Sequence, residues 1–118
     1  MSDLLTRDEY AAIAANLNFP RTAFIDGKFV KGSGKSFTTT NPATGEVIST
    51  ISGCNACDVD TAVTKAREAF EDGRWSKKHP AERKEILIKL AKLIRRDARE
   101  LAVMETLESG KPILDSVT

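Results

Sequence analysis

Glu105-Thr106-Leu107-Glu108-Ser109-Gly110-Lys111-Pro112 ends one helix and launches another. Gly110 suits the left-handed conformation of the residue just past a helix, a position where a Cβ is costly. Pro112 has no N–H with which to continue the first helix, yet its preset φ suits the start of the next. Reading back from this terminator, Leu101, Met104 and Leu107 recur at helical spacing. Asp97-Ala98-Arg99-Glu100 has the form of a capping box, which predicts a bend near Arg96 in place of one unbroken rod. Before it, His79-Pro80-Ala81-Glu82 opens a helix with proline at the first helical position and an acid near the positive end of the dipole. Its pattern predicts a buried stripe of Ile86, Leu87, Leu90, Ala91, Leu93 and Ile94, with Lys84, Lys89, Lys92 and Arg96 outward.

The first half of the chain has a different period. Thr6-Arg7-Asp8-Glu9 reads as a capping box that starts a short helix to about Leu17, and Pro20 closes that arm. Ala23-Phe24-Ile25 and Lys28-Phe29-Val30 flank Asp26-Gly27, a pair suited to a type I′ turn, so a tight hairpin is expected. Phe37 to Thr40 and Val47 to Ile51 are two further strands around Asn41-Pro42-Ala43-Thr44-Gly45. From Asn55, a candidate cap, Val59, Ala62, Val63, Ala66 and Phe70 return to helical spacing until Gly73. Trp75 is expected to anchor the connection to the next helix. The order is hairpins, then amphipathic helices, with no internal repeat.

Composition bounds what such a chain does. It has 118 residues, 41% hydrophobic, enough for one domain with a core. It contains no run of about 18 apolar residues, and Asp3, Arg7, Asp8 and Glu9 interrupt the stretch where a signal peptide's apolar segment would lie. No membrane partner and a cytoplasmic location are therefore the expectation. Charge is uneven: residues 74–99 carry 10 Lys/Arg against 3 Asp/Glu, while the segments on either side are each net −3. A basic block can track phosphates, but on an amphipathic helix it reads as a solvated face, so no nucleic-acid partner is expected.

Several residues look chemical. Cys54-Asn55-Ala56-Cys57 is a C-x-x-C at a helix start, where the dipole generally favours a thiolate. Without a βαβ unit around it, two buried or half-buried structural thiols are expected in place of a redox pair. A zinc site would want four ligands, and His79 alone remains to join the cysteines. Gly32-Ser33-Gly34-Lys35-Ser36 hints at a phosphate loop, but Phe29 stands where the first glycine is needed and an extended segment follows in place of a helix. His79 reads as part of a helix start, and Glu105 and Glu108 as solvated or locally bonded acids.

Taken in order, Phe24-Ile25-Asp26-Gly27-Lys28-Phe29, Asn41 to Ile48, Asp58 to Val63, Ala66 to Phe70, Trp75 and Glu105 to Pro112 resemble the opening segment of the NAD(P)-dependent aldehyde dehydrogenase superfamily. The likeness runs from about Phe24 to Ser116. It implies an α/β fold, the N-terminal portion of a cofactor-binding domain, with residues 1–20 as a helical arm and 21–118 as the first part of the dinucleotide-binding domain, truncated before the catalytic and oligomerisation parts. The family oxidises aldehydes to acids through a cysteine nucleophile and nicotinamide. Those groups lie far downstream in the family, so the resemblance implies no catalytic and no cofactor-binding residue here, and neither Cys54 nor Cys57 is the nucleophile.

The resemblance further implies a monovalent cation, K⁺ or Na⁺, on the backbone carbonyls of Thr39, Thr40 and Glu108, the family's usual Asp being Glu108 in this chain. For the complete protein it implies NAD or NADP, a small aldehyde substrate, and a homo-oligomer, dimer or tetramer. The arm and the run Gly110 to Ser116 look closest to dehydrogenases of ω-aminoaldehydes such as γ-glutamyl-γ-aminobutyraldehyde. The helix starting at Pro112 is short, so an inactive N-terminal fragment with unpaired apolar faces is expected. The alternative is a self-sufficient α+β module whose basic helix docks an acidic partner.

Overall fold

The computed structural model describes residues 4–118. Helix α1 (Arg7–Asn16) starts with a reciprocal capping box: Thr6 Oγ1 accepts the Glu9 N–H, and the Thr6 N–H donates to Glu9 Oε2 at 2.7 Å. Two of the N–H groups that a helix start leaves free are thereby satisfied. Strands β1 (Ala23–Ile25) and β2 (Lys28–Val30) pair antiparallel around Asp26 and Gly27, with φ of 54° and 76°. Both turn residues are left-handed, as a type I′ turn requires. Phe24 and Phe29 face each other across this hairpin, edge to face at 5.2 Å.

Strands β3 (Phe37–Thr40) and β4 (Val47–Ile51) form the second hairpin. Thr39 pairs with Ser49 and Thr40 with Val47, so Ile48 is an extra residue and the ladder bulges there. Between the hairpins and the helices the backbone packs closely. Gly34 N–H donates to Gly53 O at 2.9 Å, and a Cβ built on Gly53 would sit 2.1 Å from the Lys35 carbonyl oxygen. Only glycine fits.

Helix α2 (Ala56–Glu71) is capped by Asn55, whose side chain and N–H exchange hydrogen bonds of 2.9 Å with Asp58. Helix α3 (Pro80–Arg96) is capped by His79, and α4 (Ala98–Ser109) follows after a break at Asp97. The bend falls where expected, but the capping box does not form. Asp97 makes no cap bond: its backbone, at φ −100° and ψ 13°, is not the extended form an N-cap usually takes, and its carboxylate turns to Arg96 at 2.7 and 2.9 Å. Gly110, at φ 74°, ends α4, and Pro112 precedes α5 (Ile113–Ser116).

Helix α4 is the hub of what core exists. α1 packs on one part of it and α5 on another, with Thr106 and Ser116 hydroxyls 2.9 Å apart. Ala102 and Val103 are the buried apolar residues among those described. The chain is open: its radius of gyration is 17.9 Å, against about 13.5 Å for a compact domain of this length. Its accessible surface is 9152 Å², against about 6,300 Å² for a compact monomer of this mass.

The stripe predicted to be buried on α3 is in fact uncovered. Leu87, Leu90 and Ile94 are each about half exposed, and no described strand or helix packs along α3. Val59, Val63 and Phe70 of α2 are exposed as well. The periodicity is real, yet periodicity records only which face wants cover, and the described residues do not supply it.

Candidate functional site

The two segments that make the sequence distinctive meet in space. Asn41 holds its own turn: its N–H donates to Glu46 O at 2.8 Å, its Oδ1 accepts Ala43 N–H at 2.9 Å, and its carbonyl accepts Gly45 N–H at 2.7 Å. Pro42 projects from that turn onto Gly110, where an added Cβ would lie 3.1 Å from Pro42 Cγ. The end of β3 therefore sits beside the C-terminal end of α4.

The segments that meet at this junction carry polar groups without helix or ladder partners. In a continuing helix the Glu108 carbonyl would accept from residue 112, but Pro112 has no N–H to give. The helix end also carries the negative pole of the dipole. On the strand side, the bulge between Thr39 and Thr40 interrupts the ladder. Thr39 Oγ1 and Ser49 Oγ are buried with no hydrogen-bond partner, on cross-strand neighbours. Among the described residues no group of three or more His, Cys, Asp or Glu side chains is placed to hold a metal.

The other sequence candidates lie apart from this junction. Cys54 and Cys57 are exposed free thiols, which corrects the expectation of buried or half-buried ones: they flank the outward-facing cap of α2. His79 Nδ1 accepts the Ala81 N–H at 3.2 Å, a structural cap. Glu105 pairs with Lys111 at 3.3 Å. The Gly32–Ser36 loop leads into a strand and cradles nothing helical. Among the described residues no helix is long and apolar enough to cross a membrane.

Sequence reasoning missed the tie between the loop and α2. Asp58 Oδ2 accepts the Ser33 N–H at 2.7 Å as well as the Asn55 N–H. These two bonds, Ser33 first, hold the Asp58 carboxyl below its ordinary value of 3.8. A depressed folded value stabilises above the ordinary carboxylate range, and that contribution disappears as pH falls through the lowered value. Protection of the Ser33 amide, measured against its intrinsic exchange rate, should therefore fall as the pH drops through that lowered value. In Asp58→Ala it should be lost at neutral pH already; protection unchanged in that variant would refute the tie.

With this geometry in place, the class is an α/β fold: two antiparallel hairpins and a set of helices that match the N-terminal cofactor-binding portion of a larger enzyme fold. The chain belongs to the aldehyde dehydrogenase family, whose sequence profile matches residues 29–118. It is 56% identical over 114 residues to the aminoacetaldehyde dehydrogenase of Pseudomonas aeruginosa, covering 96% of this chain and 23% of that protein. Among solved structures, the γ-glutamyl-γ-aminobutyraldehyde dehydrogenase of Burkholderia cenocepacia superposes with a TM-score of 0.92 at 38% identity, covering 97% of this chain and 23% of that one. The indole-3-acetaldehyde dehydrogenase of P. syringae, solved with NAD⁺, gives 0.91 at 40% identity, with the same coverage of both chains. The chain thus spans about a quarter of the length of the relatives it matches.

Proposed function

We propose that these residues form the amino-terminal part of an NAD(P)-dependent oxidoreductase that oxidises an aldehyde, of the ω-aminoaldehyde kind, to its carboxylic acid. The observation that carries this reading is the 56% identity to an aminoacetaldehyde dehydrogenase across nearly the whole chain. The part described contributes scaffold. Its hairpins and helices cover a dinucleotide fold, its α3 face packs on the remainder of that domain, and α1 (Arg7–Asn16), which packs on α4, belongs to an amino-terminal arm. Catalytic and nicotinamide-binding groups lie in the rest of the protein, which works in the cytoplasm as a homo-oligomer.

At the β3–α4 junction the carbonyls of Thr39, Thr40 and Glu108 hold K⁺ or Na⁺. That ion would neutralise the pole of α4 and tie the helix end to the hairpin.

The test is NAD⁺ or NADP⁺ reduction with aminoacetaldehyde and with propanal, on the 118-residue chain and on the full-length protein. The chain alone should give none, and the full-length protein should turn over with the aminoaldehyde preferred. Turnover by the 118 residues would overturn the scaffold reading, and a preference for propanal would overturn the substrate class.

A further inference from the structure

Arg83 breaks the pattern of α3. It stands four, seven and eleven residues before Leu87, Leu90 and Ile94, so it falls on the apolar stripe and not among the outward lysines. Its Nε is already buried and has no hydrogen-bond partner. Among the described residues Arg83 enters no ion pair. It lines a groove beside Trp75, Pro80 and Leu87. Trp75 and Leu87 remain 40% and 55% exposed there, so the groove is open on one side.

Two ways of covering this stripe have opposite consequences. A wholly apolar cover would strip the remaining water from the guanidinium and leave its donors unmet, a larger loss than the apolar contacts of one side chain return. A carboxylate set opposite Arg83 removes that loss. The planar fork of Nε–H and Nη–H donors matches two carboxylate oxygens, and Nε is the donor that stands unused here. Lys84 lies about 100° further round the helix and can keep its ammonium in water under any cover of the stripe. Stripe and charge together therefore describe what fits: apolar side chains with one acid among them.

The 118 residues span 23% of the aminoacetaldehyde dehydrogenase they match, which leaves most of such a protein to supply that cover. We propose that Arg83 anchors the docking of α3: a segment of the same protein beyond residue 118 lays apolar side chains on Leu87, Leu90 and Ile94 and brings one Asp or Glu into a bidentate pair with Arg83. This rests on the reading that the α3 face packs on the remainder of its domain, and adds the charge of the covering segment. The pair fixes where along α3 that segment sits, a register that apolar contacts alone leave loose. His79, Glu82, Lys84 and Glu85 are the other titratable or charged groups within a turn of Arg83, all exposed on the same end of the helix, and no described strand or helix packs along it.

The test is urea unfolding of the full-length protein at pH 8 and pH 5, for wild type, Arg83→Met, Arg83→Lys and Leu90→Ala. At pH 8 Arg83→Met, which keeps the bulk and removes the charge, should lose about 100-fold or more in the folding equilibrium, because it strands a buried carboxylate. At pH 5 the logarithm of that loss, measured against wild type, should fall by about half or more. Burial raises the pKa of the stranded carboxyl, so its penalty is full at high pH and fades as protonation neutralises it. His79 and the neighbouring acids are present in both proteins and cancel in the comparison. Arg83→Lys keeps the charge, so it should fold and lose less than the methionine variant, and it carries the test if that variant is insoluble. Full stability in Arg83→Met, a loss equal at both pH values, or a lysine variant no better than the methionine one would overturn the pair. A destabilised Leu90→Ala beside any of these would leave the packing of α3 standing. If Leu90→Ala loses nothing, the packing itself fails and the pair fails with it.

Discussion

Lysine at positions 87, 90 and 94 is expected to act in opposite directions in two contexts. In the isolated 118-residue chain, Leu87→Lys, Leu90→Lys and Ile94→Lys together should lower binding of a hydrophobic dye and reduce self-association. These side chains are half exposed on a helix along which no described strand or helix packs. In the full-length protein the same triple change should abolish folding. There the face would be core, and each large apolar side chain removed from a core costs about 2–5 kcal/mol before the burial of a charge is added. Three such changes are comparable with the whole stability of an ordinary domain, about 5–15 kcal/mol, before the buried charges add to them. Dye fluorescence and sedimentation read the first context, and soluble yield reads the second. Normal folding of the full-length triple variant would show that the α3 face stays uncovered and would sink the packing part of the proposed function.

A second large effect is expected from Gly53→Ala. The new methyl group would sit 2.1 Å from the Lys35 carbonyl oxygen. Backbone is on both sides of that clash, so no flexible side chain can swing away. The chain must open the contact in which Gly34 N–H reaches Gly53 O. Overpacking of this kind costs about 3 kcal/mol, the upper end of its usual range. Hydrogen exchange at the Gly34 amide should lose most of its protection, and the urea midpoint of the full-length protein should fall. Retained protection at Gly34 would show that the loop moves aside freely.

Local rules carried much of the fold. The caps at Thr6 and Asn55, the Asp26-Gly27 turn and the Gly110 terminator depend on groups within a few residues of each other, so the pattern alone exposes them. Where a local rule failed, the backbone did not take the form the rule needs. Asp97 had the residue type of a cap, but it sits at φ −100° and ψ 13°, shared between the end of α3 and the start of α4, and its carboxylate bonds Arg96. The buried stripe on α3 failed for another reason. Amphipathic spacing states a demand for cover, whereas cover comes from residues distant in the chain or beyond it.

The candidate site divides along the same line. That Pro112 leaves the Glu108 carbonyl without a helical partner follows from the missing N–H of proline, and the residues alone disclose it. That this carbonyl's helix ends beside the Asn41-Pro42 turn does not, because contact between Pro42 and Gly110 closes a loop of nearly seventy residues. The Asp58–Ser33 tie and the packing of Gly53 on Lys35 are likewise non-local. A cluster of glycines at 32, 34 and 53 signals that backbones approach closely somewhere, without naming the partners. Sequence by itself determined the elements, their ends and the family, since backbone sterics and hydrogen bonding act over a few residues. Tertiary structure alone decided that Pro42 meets Gly110, which thiols face out and which apolar faces stay bare among the described residues, since those depend on where distant segments come to rest.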